Sequence, residues 1–182
     1  MAAPFTIDDF KAKVDGLGSF IRKNRYTVQI VPPSNMHVPV NIEFLVKQVS
    51  FPARTSGTTN FRYGGKYGLE IPYEITPGEA VSITFLETGK FPARKYWHHW
   101  LELIQSTDNY NMNYYDDFKG TVKISAYDET DQEGVNPRHV VKLVDAWPKG
   151  ISAIEMGWES NELIDFSVDI VYKKWEIETN RF

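Results

Sequence analysis

The sequence predicts a mainly β, α+β fold: an antiparallel β-sandwich or partial barrel with one α-helix, built by residues 1–182 as a single domain. Three observations carry this reading. Short segments alternate apolar and polar residues, most clearly where Ile164, Phe166, Val168, Ile170 and Tyr172 interleave with Asp165, Ser167, Asp169, Val171 and Lys173. Turns bearing Gly and Pro stop these segments at short intervals. The apolar period changes to three and four residues only once, over about 91–105. The chain shows no repeat with a period of about 20–50 residues, and 42% hydrophobic residues in 182 suffice for one core.

Residues 1–24 read as an N-terminal arm, in which Phe5, Ile7, Phe10, Val14 and Leu17 have a weak helical spacing broken by Gly16 and Gly18. From Arg25 the pattern becomes a strand, with Tyr26, Val28 and Ile30 alternating with Thr27 and Gln29. Val31-Pro32-Pro33 stops it, because proline offers no N–H to a ladder. Residues 41–49 read as a second strand, ended by Phe51-Pro52-Ala53. Thr55 to Lys66, rich in Ser, Gly, Thr and Asn with a turn at Gly64-Gly65, reads as a long loop that is either a flexible tip or a partner-binding element. Tyr67 to Glu74 and Ala80 to Leu86 read as strands around Thr76-Pro77-Gly78-Glu79.

Phe91 to Gln105 is the expected helix, with Pro92 in its first turn and Tyr96, Trp97, Trp100, Leu101, Leu103 and Ile104 on its apolar stripe. A polar stretch with three Asn and three Tyr, Ser106 to Asp117, leads to strands expected at 118–127, 138–146 and 151–159. The acidic segment 128–134 and a turn at Trp147-Pro148-Lys149-Gly150 separate them, and the strand at 164–173 closes the chain.

Composition excludes several function classes. With no cysteine, disulfide scaffolds, thiol catalysis and iron–sulfur chemistry drop out, which suits a reducing compartment. The mean hydropathy is −0.39, and no apolar run approaches the roughly 20 residues of a spanning helix. The first residues show no basic region followed by an apolar run, so secretory export is not expected. Net charge is −4, but residues 1–100 hold 12 Lys/Arg against 8 Asp/Glu, and residues 101–182 hold 8 against 16, giving +4 followed by −8. No Lys/Arg cluster stands out as a nucleic-acid groove, where several phosphates are neutralised together.

The search for chemistry yields little. His98 and His99 are neighbours on the expected helix and point about 100° apart, unlike a chelating pair at i and i+4. His98 and Glu102 have that spacing, but one His and one Glu make a poor metal or hydrolase site. Glu129, Asp131 and Glu133 imitate the start of a calcium loop, whose last ligand position falls on Val140. Gly89-Lys90 lacks the glycines of a phosphate loop, and no Gly-x-Ser-x-Gly or Gly-x-Gly-x-x-Gly is present. Asp8-Asp9 and Asp116-Asp117 read as solvated acids. Trp147, Trp158 and Trp175 read as core rings at strand ends. The expectation is a structural or interaction protein with no cofactor and no metal. The alternatives are a small-ligand barrel lined by the aromatics and a hydrolase using His98 and Glu102.

The last third resembles the tail tube proteins of contractile-tailed bacteriophages. The resemblance rests on Val141 to Pro148 with its Trp-Pro step, on Ile154 to Ile164 with Trp158-Glu159-Ser160-Asn161, and on Phe166 to Tyr172 running into Trp175-Glu176. Phe51-Pro52-Ala53 and the Trp-bearing segment Phe91 to Gln105 extend it over about residues 20–176. It implies a non-enzymatic subunit of hexameric rings, in which six sheets join edge to edge as a continuous barrel and the rings stack into a tube. Such a tube belongs to a virion assembled in the bacterial cytoplasm, holds the tape measure and passes genomic DNA without binding it. Its partners are further copies, the sheath, the tape measure and the baseplate, and no membrane. A baseplate tube initiator, or a tube subunit of a related secretion or injection system, is the alternative within the resemblance. The longer N-terminal arm and segment 106–117 depart from the family pattern.

The residues agree with this reading in two ways. Asp165, Ser167 and Asp169 form a polar face suited to a channel wall, since acids and hydroxyls do not hold phosphate as Lys and Arg do. The opposite charges of the two halves place Arg54, Arg62 and Lys66 of the long loop against Asp128, Asp131 and Glu133 of a neighbouring copy, with the loop and the arm as stacking elements.

Overall fold

Alternating burial runs through most of the strands, and seven of them assemble into one antiparallel sheet. The computed structural model describes residues 6–16, 20–38, 41–62, 64, 67–78, 80–128, 136–159 and 161–178. In chain order the elements are α1 (Ile7–Gly16), β1 (Tyr26–Val31), a 3₁₀ turn (Ile42–Leu45), β2 (Val46–Val49), β3 (Arg54–Phe61), β4 (Leu69–Pro77) and β5 (Val81–Leu86). The helices α2 (Pro92–Ile104) and α3 (Tyr115–Phe118) follow, then β6 (Gly120–Ala126), β7 (His139–Ile151), β8 (Asp165–Val171) and β9 (Lys174–Glu178). The sheet runs β1-β6-β7-β8-β5-β2, with β9 also paired to β7, while β3 and β4 form a separate two-stranded hairpin.

Strand β7 holds this sheet together. Its residues 140–144 pair with both β6 and β9, and its residues 147–151 pair with β8. Between the two parts lies Asp145, in the left-handed region with φ 53°, a conformation that Asp tolerates better than most residues. Lys119 and Lys173 each place an ammonium 3.7 Å from its carboxylate, and the Tyr115 hydroxyl donates to its carbonyl oxygen at 3.1 Å.

The core lies where α2 meets the sheet. Ala93, Tyr96, Trp97, Trp100 and Ile104 form the buried stripe of α2. The Trp97 and Trp100 rings stack at 5.4 Å with only 3° between their planes. Phe85 of β5 touches both Trp97 at 5.5 Å and Phe166 of β8 at 5.7 Å. The Trp100 indole N–H donates to the Phe118 carbonyl at 2.8 Å, so its polar edge is satisfied on burial. Each such ring contributes about 1.5–3 kcal/mol through removal from water.

Five expectations are corrected. The segment read as the loop Thr55 to Lys66 is mostly β3, paired to β4 from Arg54↔Pro77 to Phe61↔Leu69. Within the segment read as one strand at 41–49, residues 42–45 form a 3₁₀ turn, because Glu43 turns back and accepts the Ile30 backbone N–H at 2.8 Å. The turn expected at Trp147-Pro148-Lys149-Gly150 is continuous strand, with Pro148 at a register shift where its missing N–H costs no ladder bond. The strand expected at 151–159 ends at Ile151. Among the alternating residues that suggest it, Ile154 packs against the core while Met156 and Trp158 are exposed. Of the three strand-end Trp residues, Trp147 and Trp175 pack against the core, but Trp158 is fully exposed.

The helix expected at about 91–105 is α2, joined by two others. In α1, which carries no buried residue, Thr6 and Asp9 cap each other reciprocally. Among the described residues no helix is long and apolar enough to cross a membrane. In the single chain the sheet stays open, its order ending at β1 and β2. The Tyr26 hydroxyl spans these two strands by donating to the Val46 carbonyl at 3.3 Å.

Candidate functional site

The outward face of β2, β5 and β8 is built from small hydroxyl side chains. Register places Ser82 opposite Asp169, Thr84 opposite Ser167, and Leu86 opposite Asp165. Because side chains alternate across a pleated strand, burying Phe166, Val168 and Ile170 turns Asp165, Ser167 and Asp169 outward together. The Thr84 and Ser167 hydroxyls meet at 3.0 Å. Ser50 donates to the Ser82 carbonyl and accepts its N–H, both at 3.3 Å, while Ser152 accepts the Ser167 N–H at 2.8 Å. On this face the Lys47 ammonium is paired to the Asp165 carboxylate. The three residues expected to line a channel therefore share one polar surface, in which neutral hydroxyls outnumber charges.

The hairpin β3–β4 is only half assigned from the sequence, which reads 67–74 as a strand and 55–66 as a loop. Phe61, Leu69, Ile71, Tyr73 and Ile75 are all exposed on it. A lone two-stranded hairpin is marginal in water, and apolar patches on this scale mark interaction sites. The register shift between Gly57 and Thr58 falls opposite Tyr73, next to Pro72, which has no N–H to give to a regular ladder. Leu69, Ile71, Tyr73 and Ile75 do alternate in the sequence, but that pattern reads as one buried face and here has no core to cover it.

The charges expected at interfaces separate. Arg54 starts β3 and Arg62 follows its end, both exposed. Asp128 is buried in the single chain, with the Arg138 guanidinium 3.7 Å from its carboxylate and the Arg25 guanidinium on its carbonyl at 3.0 Å. Lys66, Asp131 and Glu133 lie outside the described residues.

The hydrolase candidates do not form a site. The Thr107 N–H and hydroxyl both donate to the Glu102 carboxylate at 2.7 Å, and these bonds hold it below its ordinary pKa. His98 and His99 are exposed. Among the described residues no group of three or more His, Asp or Glu is placed to hold a metal ion. Of the aromatics proposed to line a ligand pocket, Phe85, Tyr96, Trp97, Trp100, Phe118 and Phe166 fill the core instead. There, burial and secondarily the Glu43 carboxylate push the Tyr96 phenol well above its ordinary range.

A search of curated protein sequences gives no match. Among solved structures, a chain in the anti-feeding prophage baseplate, 6-fold symmetrised, superposes with TM-score 0.68 at 15% identity, over 90% of this chain and 99% of that one. A chain in the sheath–tube complex of the extracellular contractile injection system PVC, in the extended state, gives 0.62 at 14% identity over 92% and 97%. One in the sheath/tube terminator of that system gives 0.64 at 14% over 88% and 97%. At these identities the likeness establishes a shared fold. The sequence model of the phage tail tube proteins matches residues 21–178, nearly the whole chain. A tube protein is a structural part of a phage or injection-system particle, not an enzyme, and the chain belongs to the phage tail tube protein family.

Proposed function

We propose that this chain is the repeating subunit of a contractile phage tail tube. Its copies form hexameric rings that stack around a channel, which holds the tape measure and later passes genomic DNA. The observation that carries this reading, beyond family membership, is the hydroxyl-lined face of β2, β5 and β8 with Lys47 neutralised by Asp165. A wall of this kind is wetted and offers phosphate no patch of free cations, so a polyanion slides past it. Joining copies edge to edge also covers the open strands β1 and β2, which a lone subunit leaves liable to uncontrolled pairing. The exposed apolar hairpin and the arm at residues 1–24 supply contacts to the next ring. Assembly takes place in the bacterial cytoplasm with sheath, tape measure and baseplate proteins.

Negative-stain microscopy of the purified protein tests the proposal. Rings with six-fold averages that elongate into tubes are expected, and a monomer at every concentration and salt overturns it. A baseplate tube initiator is the second reading, favoured by the match over 99% of a baseplate chain. Rings that never elongate, yet nucleate tubes of another subunit, support that reading.

A further inference from the structure

Two surfaces of opposite charge face solvent without neutralising each other. From Ser152 to Ile164 the chain leaves β7 and returns to β8, and between Gly150 and Tyr172 it carries five acids and no Lys or Arg. In the connecting segment Met156, Trp158 and Leu163 are exposed beside Glu155, Glu159 and Glu162. None of the described residues covers this Trp, which stands fully exposed beside two other exposed apolar residues. By contrast, Thr88 to Leu101 holds Lys90, Arg94, Lys95, His98 and His99 and no acid. These residues lie at the start and outer side of α2 and are bordered by two acids: the Glu87 carboxylate accepts the Arg94 backbone N–H, and Glu102 follows Leu101.

The basic side of α2 also has a receptacle. Phe91, Arg94, Lys95, His98, Leu101 and Ile151 line a surface groove of about 640 Å³, with apolar side chains among the cations. The Arg94 guanidinium is fixed there, donating to the Ser152 carbonyl at 3.2 Å and standing over the Phe166 ring at 5.8 Å. Among the described residues no ion pair joins Lys90 or Lys95 to Glu155, Glu159 or Glu162.

We infer that the acidic connection 152–164 docks on the basic α2 groove of a second copy of this chain, with the Trp158 ring in the groove and Glu155 and Glu159 against Lys90 and Lys95. The occupant is a second copy because one sequence supplies both halves of the match, an acidic aromatic knob and a basic apolar hole. Head-to-tail contact between different surfaces of identical subunits is the contact type that closes a ring. An aromatic anchor ringed by charges of the partner's opposite sign is also how interface energy is usually concentrated. This inference rests on the proposal that the chain assembles with itself and adds which surfaces meet.

The absence of cysteine from the chain allows a direct test. Met156→Cys and Lys95→Cys are placed in separate, differently tagged chains, mixed, and oxidised after assembly. A mixed disulfide in the assembled fraction, at least 10-fold above that from a Met156→Cys and Lys142→Cys control, is expected. Assembled rings without the mixed disulfide overturn the inference and leave the tube proposal standing; wild-type protein that never assembles overturns both. Charge reversal gives a second reading that does not depend on cysteine. Lys90→Glu with Lys95→Glu, or Glu155→Lys with Glu159→Lys, should each lower the assembled fraction at least 10-fold, and the four changes together should restore it to within about 3-fold. Either pair assembling like the wild type counts against the docking, as does failure of the fourfold variant to recover while its melting profile is native.

Discussion

Gly120 lies where β1 and the Trp100 ring leave no room for a side chain. A Cβ built there would lie 2.6 Å from the Val31 carbonyl oxygen and 2.8 Å from the Trp100 indole carbons, and neither neighbour can yield, since one is strand backbone and the other is a buried ring. Gly120→Ala should therefore destabilise by about 1–3 kcal/mol, read as a lower denaturant midpoint at unchanged slope. Tyr96 makes a different kind of statement. Its hydroxyl finds no hydrogen-bond partner among the described residues, and burial raises its pKa from the ordinary 10.0. The folded state then holds the phenolic proton after the unfolded chain has released it. Stability from this group is complete below pH 10 and declines as pH rises further, because there the unfolded state binds fewer protons. Melting temperature should fall between about pH 10 and 11, and Tyr96→Phe should flatten that fall without loss at neutral pH, since it removes a buried hydroxyl that bonds to nothing. Equal alkaline slopes for the two proteins would place the titration on another tyrosine.

Elements with one buried face were legible in the sequence; of the two exposed strands of the hairpin, β4 was still read as a strand at 67–74 and only β3 was missed. Strands β5 and β8 alternate between core and solvent, so period two identifies them and places Asp165, Ser167 and Asp169 on a shared face. The helix α2 was legible for the same reason, through the buried stripe running from Ala93 to Ile104. Strand β3 has no buried residue, so its Ser, Gly and Thr read as a loop although Thr55, Thr58 and Thr59 suit a strand. The bend at Asp145 left no sequence signal, because its left-handed φ and its two Lys partners exist only once β6 and β9 flank β7. Exposure gives the hairpin its testable property. Ile71→Ser with Ile75→Ser removes apolar surface that touches no core, so the melting temperature should move by no more than about 2 °C. Tube elongation in the microscope should nevertheless be lost. A large drop in melting temperature, or tubes of normal length, would contradict a stacking role.

At the scale of the whole molecule, sheet geometry and charge together mark the surface proposed to face the channel. The face carrying Ser82, Thr84, Ser167 and Asp169 is even in chemistry, and Lys47 is held by Asp165. The opposite side of the same strands is core, and α2 and the acidic connection 152–164 carry the strong patches of single sign. If the hydroxyl face lines the channel, its charge is repeated by every copy in a ring, and a small change per copy becomes a large change in the lumen. Asp169→Lys with Asp165→Asn adds a cation and frees Lys47 while leaving the buried residues of β8 untouched, so assembly should be unchanged. Tubes of this variant should retain short duplex DNA at about 50 mM salt and release it by about 200 mM, because phosphate binding by several cations falls steeply with salt. Wild-type tubes should retain none. Nuclease locates the bound DNA: protected DNA puts the hydroxyl face inside the tube, whereas DNA that binds the variant but is digested puts it outside and overturns the channel assignment without disturbing the tube itself.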